Sequence, residues 1–174
     1  SQDGNPLLFR VEKHVDRMNE SARRMCMPEI PQEIFEEGLR TLIYLDKAWI
    51  PPMDGSALYI RPFMFAIDEF LGVRPSETYK FMILLLPVGP YYSAPVRLKA
   101  EEKYVRATYG GVGEAKTAGN YAASLYPAKL AQLEGFDQVM WLDGKEFKYV
   151  QEVGTMNLFF VINGVIYTPE TDGA

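Results

Sequence analysis

Cysteine and histidine are nearly missing from the 174 residues, with one of each. Cys26 therefore has no partner for an intrachain disulfide, which favours a cytoplasmic setting, and it reads as a buried, inert thiol. His14 alone rules out a His-rich metal site, and no metal is assigned. Its reading is a packing or surface role. The longest apolar run, around residues 81–88, is far too short to span a bilayer, so no membrane role is expected. The start of the chain does not read as a secretory signal. Positive charge is also in deficit: 18 Lys and Arg against 23 Asp and Glu give −5 and a pI near 5.0. That argues against broad binding to nucleic acid or anionic lipid and leaves room only for a local basic pocket.

Apolar side chains are plentiful at 48%, enough for a buried core, and 11 Tyr and 10 Phe suit sheets and pockets. The length fits one ordinary domain or two small ones. The first residues, SQDGNP, read as a turn, and the last, TPETDGA, as the start of a loop. Both ends read as cuts, so a piece of a longer protein is expected.

Along the chain, residues 13–26 put Val15, Met18, Ala22 and Met25 on one helical stripe that Pro28 ends. A second helix fits 31–48, with Ile34, Leu39, Leu42 and Leu45 inward, stopped by Pro51-Pro52 and a turn at MDGS. The period then changes to two. ALYIRPFMFAI sets Leu58, Ile60 and Met64 against Tyr59, Arg61, Phe63 and Phe65, with Pro62 demanding an edge or a bulge. YKFMILLLPVG is an almost unbroken apolar strand of the doubly buried kind. PYYSAP, residues 90–95, is the linker candidate. Beyond it come a strand near 96–100, a Gly-rich loop, and a helix from about 119 to 134 that Pro127 should kink or end. QVMWLD, FKYVQEV, NLFFVI and VIYT read as a strand meander, with hairpin signals at Asp143-Gly144 and Asn163-Gly164. The fold class is α+β.

The Gly-rich loop, GGVGEAKTAGNY, holds one lysine among small residues. Lys116 there could grip a phosphate, carry a covalent cofactor, or sit on a surface. Gly110, Lys116 and Thr117 almost complete a nucleotide phosphate loop, and Asp143 after VMWL mimics its magnesium aspartate. The match fails at Ala115, where the backbone needs glycine to wrap a phosphate. Asp143 also opens a hairpin, not a crossover. A lysine that forms an imine needs access, and small flanking residues provide it. Tyr121, five residues on, could hydrogen-bond a cofactor ring hydroxyl. A carboxylate is further required to keep a pyridine nitrogen protonated, and Glu152 in EVGTMN is the candidate. Without more, a lone Lys or Glu is a solvated surface residue.

Longer motifs supply more. ALYIRP, FLGVRPS, LPVGPYY, GGVGEAKTAGNYAASL, QVMWLDG and EVGTMNLFFV follow one another along nearly the whole chain and resemble the branched-chain amino acid aminotransferases. These are pyridoxal 5'-phosphate enzymes of fold type IV, the D-amino acid aminotransferase-like fold. The resemblance implies a small domain over 1–92, a linker over 93–98 and the first part of the cofactor-binding large domain over 99–174. It implies that strands precede Ser1 and that the rest of the large domain follows Ala174. Lys116 matches the lysine that forms the Schiff base and shuttles the proton. Tyr121 matches the tyrosine at the ring hydroxyl, and Glu152 the glutamate at the pyridine nitrogen. Arg17 matches the arginine on the cofactor phosphate, a role suited to a guanidinium fork. Arg106 matches a second cofactor-side arginine, and Thr155 and Met156 match residues lining the site beside the glutamate. Tyr59, Arg61 and Tyr91 match substrate-pocket residues. The loop of Leu71 and Val73 matches one that reaches into the neighbouring subunit of a homodimer.

The implied reaction moves the amino group of leucine, isoleucine or valine to 2-oxoglutarate, through ping-pong transamination. A D-amino acid aminotransferase or an aminodeoxychorismate lyase would share fold, lysine and glutamate; YIRP and LGV point to the branched-chain type. A nucleotide-binding domain and a non-catalytic excised piece are the remaining alternatives. The chain departs from the family at Val11 and His14, where Pro and Asn are common, and at Pro127.

Overall fold

A computed structural model describes residues 7–170, so the turn expected at 1–6 and the last residues of the terminal loop, 171–174, lie outside the described residues. The chain divides into two compact units, Ser1–Ser93 and Ala94–Ala174. Among the described residues no helix is long and apolar enough to cross a membrane.

The first unit lays two helices on one face of a two-stranded sheet. Helix α1 is Val11–Arg24 and α2 is Gln32–Leu45, followed by a short 3-10 turn at Lys47–Trp49. Strands β1 (Ala57–Ala66) and β2 (Tyr79–Val88) pair antiparallel, in register from Ala57 opposite Val88 to Ala66 opposite Tyr79. Val15, Ile30, Phe35, Leu39 and Ile43 form the core, and Ile60, Met64, Phe81, Ile83 and Leu85 pack against it from the sheet. The Phe35 and Phe81 rings lie 5.7 Å apart. Asn19 ties α1 to the start of α2 with a reciprocal amide pair: its Nδ2 donates to the Ile30 carbonyl at 3.0 Å, and the Ile30 N–H donates to its Oδ1 at 2.8 Å.

The structure corrects several expectations in this unit. Helix α1 stops at Arg24, before Pro28 can act, because Cys26 turns left-handed (φ 55°). The Cys26 N–H bonds to the Arg23 carbonyl at 3.1 Å and the Met27 N–H to the Ala22 carbonyl at 2.8 Å, closing the last turn as a Schellman cap. That position puts Cys26 at the surface rather than in the core. Met25 leaves the buried stripe with it. In α2 the inward stripe is Phe35, Leu39 and Ile43, whereas Ile34 and Leu45 are exposed. The helix carries apolar residues on neighbouring faces, and the largest ring available, Phe35, takes the core. Strand β2 is buried on one face only: Met82, Leu84 and Leu86 are exposed, because helices cover a single side of this sheet. Pro62 sits opposite Ile83 without a register shift, in a sheet that among the described residues has two strands, leaving β1 paired on one side. The turn at MDGS forms, with the Ser56 N–H bonded to the Met53 carbonyl and Gly55 at φ 76°.

The second unit contains β3 (Leu98–Glu101), α3 (Ala118–Leu133), β4 (Gln138–Leu142) and β5 (Val150–Val153). Strand β4 lies between β3, parallel to it, and β5, antiparallel. Parallel pairing needs a long crossover, which the Gly-rich loop and α3 supply. Ala131, Val139 and Trp141 form the core. Helix α3 runs on through Pro127, which is fully buried, to Leu133. The expected single meander is two pieces. Strands β6 (Phe160–Ile162) and β7 (Val165–Tyr167) make a separate hairpin on Asn163 and Gly164, both with positive φ. Asp143-Gly144 is no two-residue turn: residues 143–149 form a longer loop before β5. Its organiser is the Asp143 carboxylate, which accepts the N–H groups of Lys145, Glu146, Lys148 and Tyr149.

Candidate active site

Lys116 is exposed and lies between the buried Ala115 and the start of α3. The loop before it folds on itself: the Gly111 N–H bonds to the Thr108 carbonyl at 2.9 Å, and the Ala115 N–H to the Val112 carbonyl at 3.1 Å. Gly111 is required there, since a Cβ would stand 2.9 Å from the Thr108 carbonyl oxygen. Asn120, in the first turn of α3, is 5% exposed. Its Nδ2 donates to the carbonyls of Ala115 (2.8 Å), Val112 (2.9 Å) and Gly113 (3.3 Å).

The residue after Asn120 is the centre of the cluster. The Lys116 Nζ lies 5.1 Å from the centroid of the Tyr121 ring, and the Arg106 guanidinium carbon 5.8 Å from it. Both cations thus stand by one electron-rich ring. Arg106 reaches across 46 positions to pair with the Oε2 of Glu152 through its Nη1. Arg106 is the more enclosed partner, its side chain 11% exposed against 35% for Glu152. The buried Arg106 Nε has no hydrogen-bond partner among the described residues. A buried donor without an acceptor is costly, and this one belongs to a cluster suited to a polar ligand.

Glu152 is on β5, and Gly154 turns the chain just after it at φ 60°. The turn is pinned twice to β4: the Gly154 N–H donates to the Val139 carbonyl and the Trp141 Nε1–H to the Gly154 carbonyl, both at 2.8 Å. A Cβ at residue 154 would lie 2.7 Å from the Gln138 Oε1. Val153 and Met156 exchange backbone hydrogen bonds at 3.0 Å, closing the turn and leaving Thr155 and Met156 at the surface. Asp143 is already taken up by the backbone: its four N–H donors, Tyr149 foremost, hold its carboxyl well below the usual range.

The other expected residues lie in the first unit. Arg17 is on the exposed side of α1, its Nη2 3.4 Å from the His14 Nδ1, so His14 is a surface residue. Tyr59 and Arg61 share the face of β1 away from the helices, with the Arg61 guanidinium 5.2 Å from the Tyr59 ring. Tyr91 is exposed and meets Tyr92 edge-on at 4.7 Å. Leu71 and Val73, at 98% and 108% exposure, form a loop tip. That loop closes on Asp68, whose Oδ1 accepts the Thr78 hydroxyl and N–H and whose Oδ2 accepts the Glu77 N–H and an Arg74 N–H. The Thr78 hydroxyl first, and then the Glu77 N–H, hold the Asp68 carboxyl far below its ordinary value. Sequence reasoning missed Asn120, Asp68 and Trp141. Only Asn120 carried a signal, an amide at the first turn of a helix that follows a Gly-rich loop.

The family model for amino-transferase class IV matches residues 1–174. Branched-chain-amino-acid aminotransferase 2 of Bacillus subtilis (strain 168) is 52% identical over 177 residues, taking in 100% of this chain and 49% of that protein. The chain therefore spans about half the length of the curated relatives it matches. Among solved structures, the branched-chain amino acid aminotransferase of Escherichia coli aligns at a TM-score of 0.74 and 26% identity, covering 94% of this chain and 52% of that one. An aminotransferase of Brucella abortus, bound to the cofactor PLP (pyridoxal 5'-phosphate), shares the fold at a TM-score of 0.73 and 22% identity, covering 95% of this chain and 59% of that one. On a match that runs its full length, this chain belongs to the class IV aminotransferases.

Proposed function

We propose that the chain takes part in transamination of branched-chain amino acids, with pyridoxal 5'-phosphate as the bound cofactor and 2-oxoglutarate as the second substrate. The observation that carries this reading is the gathering of Lys116, Arg106 and Tyr121, with Glu152 paired to Arg106. An amine, a phenol, a guanidinium and a carboxylate match the chemistry of an aldehyde, an acidic ring hydroxyl and a pyridine nitrogen. The orphaned Arg106 Nε is consistent with a site built around a further acceptor. When bound, the cofactor supplies an electron-withdrawing ring that stabilises negative charge at the carbon next to the amino group.

The protein's share is positioning and proton handling. Lys116 would hold the cofactor through its amine and, once released, would serve as the base at the substrate α-carbon. Glu152 would keep the ring nitrogen protonated, while Arg106, already paired with its Oε2, fixes the carboxylate's direction. Tyr121 would donate to the ring hydroxyl oxygen. Arg17 would supply a guanidinium suited to the phosphate. Tyr59, Arg61, Tyr91, Thr155 and Met156 would be the substrate-facing residues, and Leu71 and Val73 would offer an apolar wall to a neighbouring subunit in a homodimer. The division into a small domain over 1–92, a linker over 93–98 and a large-domain portion from 99 is supported by the unit boundary after Ser93. A cytoplasmic setting follows our reading of the single cysteine.

The direct test is borohydride reduction of the protein with pyridoxal phosphate, followed by peptide mapping. Label on Lys116, with loss of label and at least about a hundredfold loss of transamination in Lys116→Ala, is expected. Label on another lysine would sink the reading.

A further inference from the structure

We infer that Asn120 is a positioning residue for Lys116, an inference that rests on the function proposed above. Asn120 is buried, one residue from Tyr121 and four from Lys116. Its amide reaches from α3 back to three carbonyls of the loop, those of Val112, Gly113 and Ala115. Two amide hydrogens serve three oxygens, so at least one is shared. The backbone adds a Thr117 N–H bond to Ala115 at 2.8 Å and an Asn120 N–H bond to Thr117 at 3.3 Å. Ala115, which takes the shortest of the three amide links, is 2% exposed and immediately precedes Lys116.

The geometry defines what Asn120 does. Tyr121 is fixed by the helix, whereas Lys116 belongs to the loop of mostly small residues before it. The Asn120 amide locks that loop to the same turn that carries Tyr121. The amine and the phenol therefore keep their spacing around a ligand without ordering it at each encounter. The two donors are what the place demands: serine would give one, and aspartate none.

The test uses the full chain in two states. Without cofactor, amide hydrogen exchange is followed in Asn120→Ser and Asn120→Ala. The Ala115 and Thr117 amides are expected to exchange about tenfold faster, the scale of one lost buried hydrogen bond, with the amides of β4 unchanged. With limiting pyridoxal phosphate, the yield of borohydride-fixed cofactor on Lys116 per cofactor bound is expected to fall about tenfold in the same variants. Serine is expected to lose less than alanine, because it keeps one donor. Unchanged exchange, or unchanged yield, overturns the positioning role. So does general loss of fold in both variants, which would make Asn120 a stability residue. An unaltered chain that takes no label on Lys116 sinks the proposed function and this inference together, whereas a labelled parent with equally labelled variants overturns this inference alone.

Discussion

Two loops carry expected site residues, and each is held by one polar side chain, but the polarity of the clamp is opposite. Around residues 67–78 an aspartate accepts: Asp68 gathers the N–H groups of Glu77 and Thr78, the Thr78 hydroxyl and the Arg74 guanidinium. Around residues 110–117 an asparagine donates: Asn120 gathers three carbonyls. The first loop turns its amides inward and shows an apolar tip. The second turns its carbonyls inward and shows an amine. Which backbone groups need a partner decides which side chain serves, and only the carboxylate version responds to pH.

Swapping one clamp for the other's chemistry is the harshest way to break the comparison. Asn120→Asp keeps the shape and removes both donors, placing a carboxylate against three carbonyl oxygens in a site 5% exposed. A buried charge with no partner costs about 3–5 kcal/mol, so a large drop in thermal midpoint is expected, traced by amide exchange to the second unit. A drop no larger than that of Asn120→Ser would show that the carbonyls do not need a donor there.

The reverse swap is milder. Asp68→Asn leaves one acceptor oxygen for four donors and presents an amide to N–H groups. The Glu77 and Thr78 amides are expected to exchange about tenfold faster, with the unit's core unaffected, since the loop is surface structure. Exchange that spreads into β2 would mean that the loop and sheet open together.

Acid should separate the clamps without any mutation. Both Asp68 and Asp143 have folded-state values depressed below the ordinary 3.8. A depressed carboxyl contributes stability that is present above its unfolded value and is lost as pH falls through the folded value. The two aspartate loops should therefore hold at about pH 4 and loosen only well below 3.8, while the Asn120 loop keeps its contacts at every pH at which the unit is folded. Carboxyl carbon shifts followed by NMR would check this. Titration of Asp68 or Asp143 at the value of an unfolded carboxyl would refute it.

The helices, the first two strands and the Asn163-Gly164 hairpin were legible in the sequence because each depends on local period or turn chemistry. The clamps were not. Asp68 acts on residues nine and ten positions away, and Trp141 on one 13 away, so their partners appear only after the chain has folded. The Arg106–Glu152 pair joins residues 46 positions apart. The false reading of β2 has a similar cause: an apolar strand is equally compatible with one covered face or two, and the number of covering layers is not written in the strand. Asp143-Gly144 misled because a short pair signal ignores the carboxylate, which here organises the chain as far as Tyr149.

The smallest effect sharpens the comparison at its exposed end. Leu71 and Val73 project from the Asp68 loop almost as if from an unfolded chain, at 98% and 108% exposure, and Gly72 between them adopts φ 142°. Neither side chain buries apolar surface within its own unit, so Leu71→Ala and Val73→Ala should each change stability by less than about 0.5 kcal/mol. The clamp beneath them explains why such residues can be carried at no cost to the core: Asp68 and Arg74 hold the loop's shape, and the Arg74 guanidinium stacks 4.1 Å from the Phe70 ring at its base. A tip so built leaves both side chains available to something outside the unit. On the proposed reading that something is the neighbouring subunit's substrate, so the truncations should leave the melting curve in place and weaken discrimination of leucine from smaller amino acids. One lost apolar contact of this size shifts such a ratio by about 1–3 kcal/mol. Unaltered discrimination, with dimer assembly intact, would remove Leu71 and Val73 from the substrate site and leave the Asp68 clamp as a device for surface shape alone.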